Sequence, residues 1–135
     1  MTRNVKFGVY LPSDLAEEIE DFMKRTNIRS KSKLIQEALR LFLAEHGWES
    51  GGKVAGIIGV IYNHHVKGVD SALIDVQHDY LDIIVSTLHI HITHELCMLG
   101  IVVRGDSSRI KELISKIMKL RGVVNVRQTL LIEEP

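Results

Sequence analysis

One cysteine, Cys97, cannot close an intrachain bridge, so this 135-residue chain is no disulfide-stapled fold and a reducing cytoplasm is its expected compartment. An excess of charge of one sign is also missing. Seventeen basic residues balance 17 acidic ones, so the composition does not advertise nucleic acid and any DNA-binding role must come from architecture. No apolar run reaches the roughly 18 residues of a membrane span, and no signal peptide is expected ahead of the first strand, so no membrane partner is expected. What remains is a 45% hydrophobic chain with regular punctuation, as one or two small globular domains require.

The densest chemistry lies in Leu88-His89-Ile90-His91-Ile92-Thr93-His94-Glu95-Leu96-Cys97, where two imidazoles in H-x-H spacing precede the lone thiol. Side chains two apart on a strand share a face, so His89 and His91 project together. Two imidazoles and a thiolate suit nickel, copper or zinc, and poorly suit magnesium or calcium. Two surface histidines beside an inert cysteine is the plainer alternative, weakened by the convergence of all three groups. Leu88, Ile90 and Ile92 point the other way, and the expectation is that they face the helices.

A break at Glu49-Ser50-Gly51-Gly52 divides the chain into an expected first domain (1–48), a linker (49–52) and a second domain (53–135). In the first, Val5, Phe7, Val9 and Leu11 alternate with Asn4, Lys6, Gly8 and Tyr10, the period of a strand. Pro12 ends it, with Ser13 as the expected cap of a helix carrying Leu15, Ile19, Phe22 and Met23. A turn through Asn27-Ile28-Arg29-Ser30 leads to a second helix, capped in expectation by Ser32 and stopped at Gly47. A lone strand has no neighbour for its backbone groups, and two short helices cannot enclose a core. A dimer cures both defects by pairing two strands antiparallel over four helices. Such a ribbon fits the major groove of DNA, with Lys6, Gly8 and Tyr10 toward the bases. The start of the second helix, at Ser32 and Lys33, would receive a phosphate on its free N–H groups. This strand–helix–helix order resembles the ribbon-helix-helix family of DNA-binding regulators.

The second domain reads β-α-β-β-α-β: Lys53 to Tyr62, a helix with Val69, Leu73, Val76 and Tyr80 as its apolar stripe, Ile84 to Ile92, Cys97 to Val103, a helix from Asp106 or Ser107 to Gly122, and Val123 to Ile132. Two β-α-β halves predict a ferredoxin-like sandwich with both helices on one face and the other face buried against another subunit. The fold class is therefore α+β. Amino-acid-binding regulatory domains share this architecture, so the fold alone does not select a ligand.

Taken whole, residues 5 to 132 resemble the nickel-responsive transcriptional regulators (NikR). The matching text is Ile61-Tyr62-Asn63-His64, Gln77-His78-Asp79, Ser86-Thr87-Leu88-His89-Ile90-His91, His94, Cys97 and Arg121-Gly122-Val123. The resemblance implies a non-enzymatic regulator with one Ni(II) per subunit in a square-planar site of His78, His89, His91 and Cys97, one histidine coming from a neighbouring subunit. It implies support roles for Gln77, His94 and Tyr62, a homotetramer built as a dimer of dimers, a palindromic double-stranded operator, and most often repression of nickel uptake. The alternative is a regulator of the same build answering copper, cobalt, zinc or a small effector. A metalloenzyme fits worst, because four protein ligands leave no position for a substrate.

This chain departs from the family at several positions. Lys33 and Glu37 stand where relatives often carry acidic residues of a weak cation site, so either the Lys33 ammonium takes the cation's place or that interdomain contact is lost. Leu99 replaces a frequent glutamate, and Gly8 offers no side chain to a base. Geometry gives a further expectation. His89 and His91 are therefore expected to leave the sheet on the face away from the helices, with His78 on the order of 15 Å away and the sheet between them. Only a neighbouring chain could then supply it.

Overall fold

The computed structural model describes residues 3–133; residues 1–2 and 134–135, the outer ends of the two expected domains, lie outside them. Contacts divide the chain between Arg40 and Leu41 into two compact units. Among the described residues no helix is long and apolar enough to cross a membrane.

In the first unit, α1 spans Ser13–Thr26 and α2 begins at Lys31, running to His46 in the second unit. The N-terminal caps differ from expectation. Pro12, not Ser13, occupies the N-cap of α1, where its carbonyl accepts from the Ala16 amide at 3.0 Å. The α2 cap is Ser30, not Ser32: the Ser30 hydroxyl accepts from the Lys33 amide at 3.2 Å, because a cap must precede the first turn whose N–H it satisfies. Asn27 ends α1 in the left-handed region, φ 57°, which a short amide side chain tolerates. Residues 3–12 form no strand in the single chain. A β-ladder needs a second backbone, and the lone segment has none within its own chain. Val5, Phe7 and Val9 are exposed, and neither α1 nor α2 buries a residue.

In the second unit Gly47–Ser50 forms a 3-10 turn, and its Trp48 is buried in that unit's core. Four strands follow, β1 (Lys53–Asn63), β2 (Ile84–His91), β3 (Leu96–Asp106) and β4 (Val123–Ile132), with α3 (Val69–His78) and α4 (Ser107–Met118) between them. The sheet is wholly antiparallel in the order β2-β3-β1-β4, which places the histidine-bearing β2 at an edge. The expected ferredoxin-like sandwich is the observed one. Its core is one cluster: Val54, Ile58, Val60 and Tyr62 from β1, Leu99, Ile101 and Val103 from β3, and Leu73, Ile110, Leu113 and Ile117 from the helices.

Two local devices hold the helices to the sheet. Gly122, at φ +98°, turns the chain after α4 into β4, and a Cβ there would meet Val69 Cγ2 at 2.9 Å and Val66 Cβ at 3.0 Å. Glycine is required at this position both for its backbone angle and for the space. Arg109 of α4 donates to both Asp82 carboxylate oxygens (3.0 and 3.1 Å) and to the Asp79 carbonyl (2.8 Å). Its guanidinium lies 4.1 Å above the ring of buried Tyr80, so one side chain ties the turn after α3 to α4. The bidentate bond holds the Asp82 carboxyl below its ordinary range.

Candidate metal centre

Register decides where the histidines point. His91 pairs with Cys97 and His89 with Leu99 across β2 and β3, while Tyr62 pairs with Cys97 across β1 and β3. Directly paired residues leave a sheet on the same side. Cys97, Leu99 and Tyr62 are all core residues, so His89 and His91 lie on the helix-covered face. The expected assignment is therefore inverted. Leu88, Ile90 and Ile92 occupy the open face, where Leu88 is 61% exposed. Because β2 is an edge strand, its helix-side residues project past the core and His89 and His91 stay exposed.

There the donor atoms of His89, His91 and Cys97 lie within 4.8 Å of one another. Cys97 Sγ is 3.4 Å from His91 Nδ1, and the two imidazole rings are centred 4.8 Å apart. Donors bound at about 2 Å from one metal stand about 3–4 Å apart, so modest rotation of the exposed imidazoles closes the set around an ion. Cys97 is 1% exposed and anchored by its strand; the imidazoles are the movable part. Two nitrogens and a sulfur form a borderline-soft donor set, which fits nickel, copper or zinc. The Tyr62 hydroxyl lies 3.4 Å from His89 Nε2. Burial first, then Asp70 and more weakly Cys97, pushes the Tyr62 phenol well above its usual range and keeps it neutral.

His78, the last residue of α3, is exposed and is not among the three clustered donors. No sheet separates it from them, contrary to the layer argument. Its neighbour Gln77 turns inward, accepting from the Thr87 hydroxyl of β2 at 2.8 Å and donating to the Leu73 carbonyl at 3.0 Å. The end of α3 is thereby fastened to the strand that carries His89.

His94 sits in the turn between His91 and Cys97, away from the trio. Its carbonyl accepts from His64 Nε2 at 2.6 Å, and its Nδ1 lies 3.3 Å from His65 Nε2. The sequence places His64 in the family-matching text without a role and gives His65 none; the His-His doublet after β1 is the available signal. Lys6, Gly8 and Tyr10 lie exposed in the segment before α1, and Ser32 and Lys33 lie exposed in the first turn of α2. The Lys33 ammonium stands 4.0 Å from the Glu37 carboxylate, and the Ser32 hydroxyl accepts from Gln36.

Comparison with known proteins bears on both halves of the chain. Residues 55–131 match the NikR C-terminal nickel binding domain, and residues 5–46 match the ribbon-helix-helix protein, copG family. A candidate nickel-responsive regulator of Methanocaldococcus jannaschii is 38% identical over 98% of this chain and 95% of its own length. A second, from Methanothermobacter thermautotrophicus, is 39% identical over 93% and 91%. Among solved structures, an uncharacterized protein of Thermotoga maritima aligns with 60% of this chain and 98% of its own at a TM-score of 0.52 and 16% identity, a likeness of fold alone. With both modules matched and identity sustained over nearly its full length, the chain belongs to the nickel-responsive regulator family, whose members are regulators and not enzymes.

Proposed function

We propose that the protein is a cytoplasmic, DNA-binding transcriptional regulator whose operator affinity rises when Ni(II) binds, one ion per subunit, at sites shared between subunits. The observation that carries this reading is the gathering of His89, His91 and Cys97 donors within 4.8 Å at the sheet edge of a nickel-responsive regulator. These three residues hold the ion from one chain, and His78 of a neighbouring chain completes a planar N₃S set, which low-spin Ni(II) or Cu(II) prefers. His78 stands outside its own chain's trio and is exposed, as a ligand offered to another subunit must be. Gln77 positions the end of α3 through Thr87, Tyr62 supports His89, and His94 belongs to the turn that spaces His91 from Cys97.

Bound nickel supplies a charge and a fixed coordination geometry; the chain supplies the coupling. Joining the end of α3 to a neighbour's sheet edge constrains both subunits. Operator affinity then changes only by the differential affinity of nickel for the two arrangements. The exposed apolar face of Leu88, Ile90 and Ile92 supports assembly into a tetramer as a dimer of dimers. The unburied apolar residues before α1 and along α1 and α2 support strand-paired dimers. Lys6, Gly8 and Tyr10 face the bases of a palindromic operator, and Ser32 and Lys33 its phosphates. Repression of nickel uptake is the proposed output.

Two experiments test this reading. Titration of the apo protein with nickel, copper, zinc and cobalt should give a square-planar absorption band with nickel at one ion per chain. Selection from a random DNA duplex pool should then yield a palindrome only when nickel is present; recovery independent of metal would refute the coupling. To test the shared site, His78→Ala and Cys97→Ala are refolded together. Each alone should lack tight nickel, and mixed assemblies should regain it. No recovery despite proven subunit mixing would sink the shared site.

A further inference from the structure

The end of α3 carries His78 on very little apolar packing. From Ile74 to Asp82 only Tyr80 is buried, so burial alone leaves the last helical turn weakly held. Polar anchors stand on both sides of His78 instead. On one side Gln77 is bonded to Thr87 of β2. On the other, Arg109 reaches across from the first turn of α4.

Three kinds of contact converge on that guanidinium. Asp79 is the C-cap of α3, where helical carbonyls run out of partners, and Arg109 Nη2 donates to its carbonyl at 2.8 Å. The Asp82 carboxylate accepts from Nε at 3.0 Å and from Nη2 at 3.1 Å. Between them, the ring of Tyr80 lies 4.1 Å below the guanidinium carbon. Arg109 itself stands on a firm base: Ile110, Leu113, Ile114 and Ile117 of α4 are buried, and Glu112 accepts from Nη1 at 3.3 Å. A planar fork that bonds a carboxylate twice, caps a helix and stacks on a ring suits arginine and not lysine.

We propose that Arg109 is a positioning residue for the nickel response: by locking the turn after α3, it holds His78 ready for a neighbouring chain before any ion binds. This rests on the proposed function, in which His78 completes a neighbour's trio. A ligand that is competent only part of the time raises the apparent Kd by the inverse of that fraction. A chain presenting His78 correctly about one-tenth of the time therefore weakens nickel about tenfold. The same chain's trio should feel none of this, because His89 and His91 lie at the far end of β2, which stays paired to β3 as far as His91 opposite Cys97.

The test uses the two chains of a mixed assembly. A Cys97→Ala chain supplies His78 and a His78→Ala chain supplies the trio, so Arg109→Ala can be placed on either side of one site. In the His78-supplying chain it should raise the apparent nickel Kd about tenfold by chelator competition; in the trio-supplying chain it should leave that Kd unchanged. A general loss of stability would weaken both assemblies alike. Arg109→Lys keeps the charge without the fork and should show the same asymmetry. If the Arg109→Ala chain does not fold by circular dichroism, Asp82→Asn, at an exposed position, removes the carboxylate charge and should show that asymmetry too. Equal effects from the two placements, or none from either, would overturn the role of Arg109 and leave the shared site standing. Failure of the mixed assembly to bind nickel with Arg109 intact would instead overturn the shared site, and this proposal with it.

Discussion

Replacing Cys97 by serine removes the sulfur donor while changing little volume, and it separates nickel binding from folding. Cys97 is buried and its Sγ lies 3.4 Å from His91 Nδ1, so a serine hydroxyl there has a nitrogen acceptor within reach. The metal-free cost is about 1–3 kcal/mol if the hydroxyl stays unpaired and less if it bonds to His91. The nickel cost is larger. Losing an outer-shell partner lowers metal affinity about 10–100-fold, so losing a direct thiolate should exceed about 100-fold, or about 2.7 kcal/mol. Binding to the folded state alone converts that loss into stability. At free nickel of about 100 times the unaltered Kd, the native protein gains about 2.7 kcal/mol, whereas a variant bound 100-fold more weakly gains about 0.4 kcal/mol. Thermal unfolding of both proteins with and without that nickel concentration reads the difference directly. A Cys97→Ser protein whose nickel-induced gain stays within about 1 kcal/mol of the native one would refute the role of the thiolate.

Four other perturbations address separate links. Lys6→Ala should weaken operator binding by about 1–3 kcal/mol if the side chain reaches a base edge and leave nickel affinity unchanged, read by DNA-binding isotherms and chelator competition. Gly122→Ala forces a Cβ into Val66 and Val69 at φ +98°, so backbone strain alone should cost about 1–2 kcal/mol and chemical denaturation should show at least that loss. The depressed Asp82 carboxyl contributes stability that is full above the ordinary carboxylate value and lost as pH falls through its lowered one. Arg109→Ala should therefore flatten the acid limb of the stability curve between about pH 5 and pH 2, and an unchanged limb would count against the pair. Leu88→Asp puts a charge on the open sheet face and should shift a tetramer toward dimers in sedimentation.

Much of the second unit was legible because its two periods are clean. Val54, Ile58 and Val60 alternate along β1, and Ile110, Leu113, Ile114 and Ile117 repeat at helical spacing along α4; these are the residues found buried. The expected stop of α4 at Gly122 is too late: the helix ends at Met118 with Lys119 as its C-cap, and the positive φ of Gly122 instead turns the chain into β4. Caps were read less well. Ser13 and Ser32 are in place by composition, yet the cap is set by which residue sits outside the first turn, and Pro12 and Ser30 hold those positions. The segment from Asn4 to Leu11 has the alternation of a strand but forms none alone, because a ladder needs a second backbone and no described strand of its own chain pairs with it.

At the site, the pattern revealed which residues share a face but not which face that is. Alternation in Leu88-His89-Ile90-His91-Ile92 separates two sets unambiguously, and the rule that apolar residues face the core assigns the apolar set to the helix side. That inference holds only where one face of a sheet is buried and the other meets water. Here both faces carry apolar side chains: Ile57, Leu88 and Leu131 lie on the open side, while Ile58, Leu99 and Leu130 lie under the helices. The decision then falls to register, and register follows from long-range pairing that no local window contains. Once His91 stands opposite Cys97, the thiol's burial fixes the histidines on the helix side. The consequence reaches the chemistry. On the open face the imidazoles would have stood away from the only cysteine; on the helix side they meet it, next to the strand that Gln77 of α3 grips through Thr87.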